Sequence, residues 1–442
     1  LRYSLAGSQT LVPMLSIPFF TDLDSRAAVK GSRDPLGIQP IWTRVGRHVV
    51  GNLTTVSNSA RDFTTLLLGY YFAGIIADSR ETGSELASFL KWEQLAAYSR
   101  AAANNDYNFR GTDRVRLNLS ESHRVKLSAN RAYQILGNQK IYGLWGLYTM
   151  PARSSGLVDG DPPRLTNAAT QFVEKQYSSI TRNNNTLRTI INILREPIAN
   201  IDINGRHTSL IQSIGNALKR RFLPSEREFY RKHLLFGGPN DETSGRQRQL
   251  AHLLEATFDQ SDFRWSTAMV GELAHRARDN GNEWQPLADF LFRIRTSESV
   301  LGPVSLLFSY LLDSDRQSLK SIAEQIRSAW GAGLRTVDVE SFTQLRSELD
   351  DSDRWIGIAT TATAGDYESL LELLIKQNAE VMYARGGAPW VVNDNGSLRV
   401  HFKGERGFLP KRDEIADIWR FPYFLDSLRQ VGLTLKESNG DG

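Results

Sequence analysis

Over most of the chain, apolar side chains return every three or four residues, the spacing of one face of an α-helix. Phe63, Leu66, Leu67, Tyr70, Tyr71 and Ile75 follow Ser57 and Ser59, either of which can cap a helix. That helix is apolar nearly all round, so it belongs in the interior of a domain. Behind it, Thr82–Glu85 fits a capping box, in which a hydroxyl and a carboxylate each satisfy a free backbone donor. The helix it opens carries Leu86, Phe89, Leu90 and Tyr98, with Trp92 and Leu95 beside them, and ends near Asn104–Asn105. The same spacing places helices on Leu210–Leu218, Leu250–Phe258, Leu287–Ile294, Leu306–Leu311, Leu319–Trp330 and Asp366–Val381. Leu223-Pro224-Ser225 followed by Glu228 reads as a second capping-box start.

A few stretches alternate instead. Val115, Leu117 and Leu119, then Val125 and Leu127, predict two short strands. Trp390–Val392 and Leu398–Phe402 flank the turn residues Asn393–Gly396 and predict a β-hairpin. Pro13, Pro18, Pro35 and Pro40 make Leu1–Val50 irregular. The acidic run Glu348–Asp353 reads as a solvated loop, and Asp413–Leu435 as a helix interrupted at Pro422. The fold class expected is therefore mainly α with small β-hairpins, in several domains. The divisions expected are 1–129, 130–180, 181–345 and 346–442.

Residues Gln134–Ala168 carry the most specific order of signals. Asn130 can cap a short helix bearing Ala132, Ile135 and Leu136, and Gly137-Asn138 supplies a turn. Ile141–Ser155 then reads as a second, recognition-type helix bent near Pro151. Val158–Leu165 doubles back through Asp159-Gly160, and a new helix opens at Arg164-Leu165-Thr166. Helix, helix, short strand, turn, short strand and helix is the order of a winged helix-turn-helix. Such a module offers side chains to the major groove and its wing to phosphates. Gln139, Lys140, Arg153 and Arg164 are the candidate DNA contacts, with Ser154 and Ser155 between them. Lys219, Arg220 and Arg221 are secondary candidates for phosphate contact. They open a basic band that continues through Arg227, Arg231, Lys232, His233, Arg246 and Arg248. Glu226, Glu228, Asp241 and Glu242 interleave with that band, so a solvated helix face is the favoured explanation of it. Trp145, Leu147, Tyr148 and Met150 on the second helix suit a core or a protein partner better than a groove.

Composition changes this picture little. With 442 residues, 40% apolar and 23% charged, the chain is ordinary globular material for two or three domains. A net charge of +4 permits nucleic acid as a partner without requiring it. There is no Cys, which excludes disulfides, thiolate zinc sites and a Cys nucleophile. Leu1–Thr10 lacks a secretory pattern, and Leu66–Ala77 is far short of the roughly 20 residues that span a bilayer. The expectation is a cytoplasmic protein with no membrane partner.

The sequence offers no reactive centre. There is no phosphate-binding loop ending in Gly-Lys-Ser/Thr, no dinucleotide fingerprint and no Gly-x-Ser-x-Gly. None of the seven His residues has a paired metal spacing. His401-Phe402-Lys403 starts like a phospholipase-D-type motif, but Phe408 stands where the Asp is needed and there is no second copy. Glu174-Lys175 and Asp366–Lys376 contain the letters of a metal-dependent nuclease without its strand setting. No cofactor and no metal are expected.

Gln134–Val158 and Trp419–Arg429, the latter preceded by the hairpin and by Gly404–Glu414, together resemble a family of bacterial proteins associated with anti-phage and mobile-DNA defence gene clusters. The family has no assigned chemistry, so no catalytic residue carries over. The resemblance implies a subunit acting beside a nuclease, ATPase or helicase. The leading expectation is a non-catalytic subunit of a bacterial DNA defence complex that binds double-stranded DNA or other protein subunits through the winged-helix-like module. A purely structural scaffold, a cryptic metal-dependent nuclease and a dimeric repressor are the alternatives.

Overall fold

The computed structural model describes residues 34–79, 85–402 and 407–436. These residues are mainly helical, with three small antiparallel strand pairs. They fall into two compact units: the described residues within 40–299 and 417–436, and those within 34–39 and 300–416. The divisions expected near 129, 180 and 345 lie inside these units. The expected capping box at Thr82–Glu85 and most of Leu1–Val50 lie outside the described residues. Where Leu1–Val50 is described it includes a helix, α1 (Ile38–Arg47). Both Asp34 carboxylate oxygens cap it, accepting the Ile38 and Gln39 amides at 2.8 Å. Pro40 sits in the first turn, where a missing N–H costs no intrahelical bond, so it does not break the helix.

The core of the larger unit is the pair α2 (Ala60–Asp78) and α3 (Glu85–Asn104). Ser59 caps α2 at the Asp62 amide, 3.2 Å away. As the pattern predicted, α2 is buried on nearly every side. Phe63, Phe72, Phe89 and Trp92 are fully buried, with Phe72 and Trp92 in ring contact at 4.6 Å. The helix α4 (Thr112–Glu121) replaces the expected strand at Val115–Leu119. Those apolar positions are also i and i+4, and only Val115 is buried, so one helical contact accounts for them. The second expected strand is present as β1 (Arg124–Ser128).

Next come α5 (Gln139–Tyr142), α6 (Leu144–Ser154), β2 (Val158–Asp159), β3 (Arg164–Leu165) and α7 (Asn167–Gln176). Then follow α8 (Ser178–Thr181), α9 (Asn184–Arg195) and β4 (Ile198–Asp202), which pairs antiparallel with β1, Val125 opposite Ile201 and Leu127 opposite Ala199. After α10 (Thr208–Ala217), α11 (Pro224–Tyr230) runs straight into a π-helical turn at Arg231–Leu235. The acid that closes the start of α11 is Glu226, whose Oε2 accepts the Leu223 amide at 2.7 Å, and not Glu228. Further helices are α12 (Arg246–Glu255), α13 (Thr267–Asp279) and α14 (Gln285–Leu311), the unit boundary falling within the last.

In the smaller unit, α15 (Leu319–Trp330), α16 (Val339–Thr343), α17 (Ser352–Ala364) and α18 (Tyr367–Ala384) bury Trp330, Phe342, Trp355 and Tyr367. The expected hairpin is β5 (Val391–Asp394) paired with β6 (Ser397–Val400). Glu348 and Leu349 in the acidic run are buried, so only its later residues are solvated. The expected C-terminal helix is two pieces, α19 (Arg412–Ile415) and, in the larger unit, α20 (Leu425–Leu435). Among the described residues no helix is long and apolar enough to cross a membrane.

Candidate functional site

The chain does double back at Val158. Val158 pairs with Leu165 and Asp159 with Arg164, giving a two-rung β-ribbon between α6 and α7. Beside it lies a cavity of about 430 Å³, the size of a small-ligand site, lined by residues of α6, the ribbon, α7, the π turn and the loop after it.

The walls are built by close backbone approaches. Gly156 has φ +69°, and a Cβ there would lie 2.4 Å from Pro239 Cγ. Gly238 has φ +73°, and its Cβ would lie 2.4 Å from the Ser155 carbonyl oxygen. The end of α6 and the loop Gly237–Asn240 therefore touch through glycines that no larger residue can replace without movement. Beneath them sits a buried polar network. Asn52 Nδ2 donates to Ser155 Oγ at 2.9 Å and to the His233 carbonyl at 2.8 Å. Gln247 Nε2 donates to Asn52 Oδ1 and to the Leu234 carbonyl, both at 2.7 Å. These amides satisfy carbonyls of the π turn, a distortion that occurs often at functional sites.

His233 projects from that turn, its ring tilted against Phe229 at 4.5 Å, and Phe229 itself stacks on Phe172 of α7 at 3.7 Å. Its Nδ1 lies 2.9 Å from the Ser155 carbonyl. A carbonyl only accepts, so Nδ1 carries the proton and Nε2 holds a lone pair. Burial lowers the His233 pKa, the Ser155 carbonyl partly opposes this, and Lys232 lowers it further, which keeps the ring neutral. Arg153 and Lys232 bring two cations to the cavity and Asp159 one acid. Arg153 Nη2 also donates to the Gly160 carbonyl at the ribbon's tip, tying the ribbon to α6.

The sequence-predicted contacts do not gather here as expected. Of the seven, only Arg153 lines the cavity. Gln139 is fully buried and cannot reach DNA: its side-chain amide donates to the Leu90 carbonyl and to Glu93 Oε2, both at 2.8 Å. A short apolar helix start pressed on α3 hides it, which a polar letter in the sequence does not reveal. Arg164 pairs with Glu85 at 2.5 Å and Asp78 at 3.5 Å, so its charge is already matched. Arg220 donates to the buried carboxylate of Asp106 at 3.0 Å. Lys140, Lys219 and Arg221 are exposed. The segment read as a winged helix has a single 3-10 turn at Arg131–Tyr133 and the one-turn α5 before α6, which buries Leu144, Tyr148, Pro151 and Ala152.

Lys232 and His233 stood in the basic band, but nothing tied them to the ribbon. Gly237–Asn240 reads as a loop in the sequence and Asn167 as part of a helix start, but nothing there marks Asn52, Asn167 or Asn240 as neighbours of a site. Among the described residues no three His, Asp or Glu side chains gather as they would to hold a metal ion. No family model, no curated protein and no solved structure matches the chain.

Proposed function

We propose that the protein is a non-catalytic binding subunit that contacts the phosphate backbone of double-stranded DNA through the β2–β3 ribbon and the α6 surface beside it. On the defence-cluster resemblance of its sequence, the partner would be a nuclease, ATPase or helicase subunit. The observation that supports the reading is that Arg153 and Lys232 line one cavity beside the ribbon, where Asp159 is the single lining acid. Phosphate contacts of this kind give sequence-independent, salt-dependent affinity. The test is duplex binding by fluorescence anisotropy over a salt series. Arg153→Ala and Lys232→Ala should each lower the slope of log affinity against log salt by about one. Unchanged slopes would remove the ribbon from the interface.

A second reading, a scaffold that docks a partner subunit without touching DNA, is favoured by one specific feature. Ile141, Tyr142 and Met150 are 52%, 58% and 65% exposed within ten residues of each other. Large apolar and aromatic side chains in this density suit a protein interface. A stoichiometric complex with the product of a neighbouring gene, formed without DNA affinity, would decide for the scaffold.

A further inference from the structure

We infer that the cavity beside the ribbon is a binding site for a phosphate ester of nucleotide size, with the phosphate at the start of α7 and a hydroxyl or amine of the same ligand on His233 Nε2. The inference goes beyond duplex binding: it concerns a small ligand seated in a half-open cavity and not a strand lying on the surface, although both use Arg153 and Lys232.

Three groups converge on the phosphate end. Arg153 and Lys232 supply positive charge. The start of α7 supplies backbone donors: Thr166 caps it by accepting the Ala169 amide on Oγ1 at 3.3 Å and the Thr170 amide on its carbonyl at 2.9 Å. That arrangement leaves the Asn167 and Ala168 amides, both in the cavity lining, without a protein acceptor among the described residues. Free amides and the positive end of a helix favour an anion, and the two cations beside them reinforce the preference.

The other end is selective in the opposite sense. His233 is 4% exposed, lines the cavity, and has no protein partner for Nε2 among the described residues. The Nε2 lone pair accepts from an O–H or N–H, and a phosphate held at the start of α7 does not also reach it, so a bare phosphate ion satisfies only one end of the site. A smaller hollow of about 190 Å³ also borders Arg153, but Asp241 and Glu242 line it and disfavour an anion there.

The test is calorimetry on the full chain with adenosine 5′-monophosphate, adenosine and inorganic phosphate, alongside 5′-phosphorylated and 5′-hydroxyl oligonucleotides. The expected result is binding of the monophosphate, at least about tenfold tighter than adenosine or inorganic phosphate. Lys232→Gln, an exposed position, and Arg153→Gln should each weaken it by about tenfold with the melting temperature unchanged. His233→Phe, which keeps an aromatic ring against Phe229 but has no acceptor, should bring the monophosphate and inorganic phosphate to similar affinities. Should His233→Phe fail to fold, the Lys232 and Arg153 variants still decide. Binding of only the 5′-phosphorylated strand would show the same pocket filled by a strand end. Binding of neither phosphorylated probe, or binding indifferent to both cation variants, would overturn the inference. Closed circular duplex, which has no ends, reports the duplex reading separately.

Discussion

Glu93 caps a helix that starts 51 residues later in the chain: its Oε1 accepts the amide of Leu144, the first residue of α6, at 2.8 Å. Its Oε2 takes the Gln139 side-chain amide at the same distance. The carboxylate thus fixes where α6 begins on α3. It also explains Gly143, because a Cβ there would lie 2.7 Å from Oε2 and 2.4 Å from the Gln139 carbonyl oxygen. Neither atom can retreat without breaking a buried hydrogen bond. Gly143→Ala should therefore destabilise the fold by about 1–3 kcal/mol, the usual cost of overpacking. Urea unfolding checks this as a lower midpoint at constant slope, and an unshifted midpoint would refute the capping role.

Two buried glutamates should make stability fall as pH rises. Burial pushes Glu93 up to about 7, opposed by the Leu144 amide and Gln139, and pushes Glu298 up to about 8, opposed by the Arg420 amide. A carboxyl whose folded pKa lies above its unfolded value binds its proton more tightly in the native state. Its contribution is whole below the unfolded value and is lost as pH climbs to the folded one. Each such group takes away on the order of 1.4 kcal/mol per pH unit across that window. His233 and His207, lowered first by burial, act in the opposite sense as pH falls. They are common to wild type and Glu298→Gln, so the difference between the two isolates the glutamate. That difference should grow between about pH 5 and about pH 8 and then level off. Parallel stability curves would contradict it.

Arg100 holds two buried carboxylates at once. Its Nη1 meets Asp62 Oδ1 at 2.8 Å and its Nε meets Asp106 Oδ2 at 2.9 Å, with all three side chains buried. Arg100→Met strands Asp62, leaves Asp106 only the exposed Arg220 as a cation, and should cost about 3–5 kcal/mol. Arg220 also meets Asp106, at 3.0 Å, but its side chain is 67% exposed. Arg220→Ala should cost no more than about 1 kcal/mol. Equal losses from the two variants would mean that solvent reaches the Asp106 pair.

Periodicity carried the helices because burial on one face repeats in the sequence. It located α2, α3, α15, α18 and the hairpin at Val391–Val400, whose patterns are long or flanked by turn residues. It misplaced α4, since Val115 and Leu119 satisfy both periods when a single contact anchors the helix. It offered no strand at Ile198–Asp202, whose pairing with Arg124–Ser128 spans more than sixty residues. The ribbon was legible from Asp159-Gly160 and its flanks. The cavity was not, because Arg153, Asn167, His233 and Asn240 meet only through tertiary contacts that leave no local pattern. Gln139 and Arg164 show the converse: both look available as letters, yet one is buried and the other already paired.

That contrast gives the sharpest prediction for the ribbon. Arg153 and Arg164 flank the same two strands, and the sequence treats them alike. Arg164 is a fastener: its guanidinium joins β3 to Glu85 at the start of α3 and to Asp78 at the end of α2. Its charge is matched before any ligand arrives, so Arg164→Ala should lower stability by about 0.5–1 kcal/mol, in line with a partly exposed pair. It should leave the salt slope of duplex binding unchanged. Arg153 spends one donor on the Gly160 carbonyl and keeps its charge unmatched by any carboxylate ion pair among the described residues. Arg153→Ala should lower the slope by about one while moving the unfolding midpoint little. Anisotropy over a salt series and urea unfolding on the same two variants separate the roles. If Arg164→Ala loses the slope and Arg153→Ala keeps it, the ribbon meets DNA by its opposite edge, and the cavity has no part in that contact.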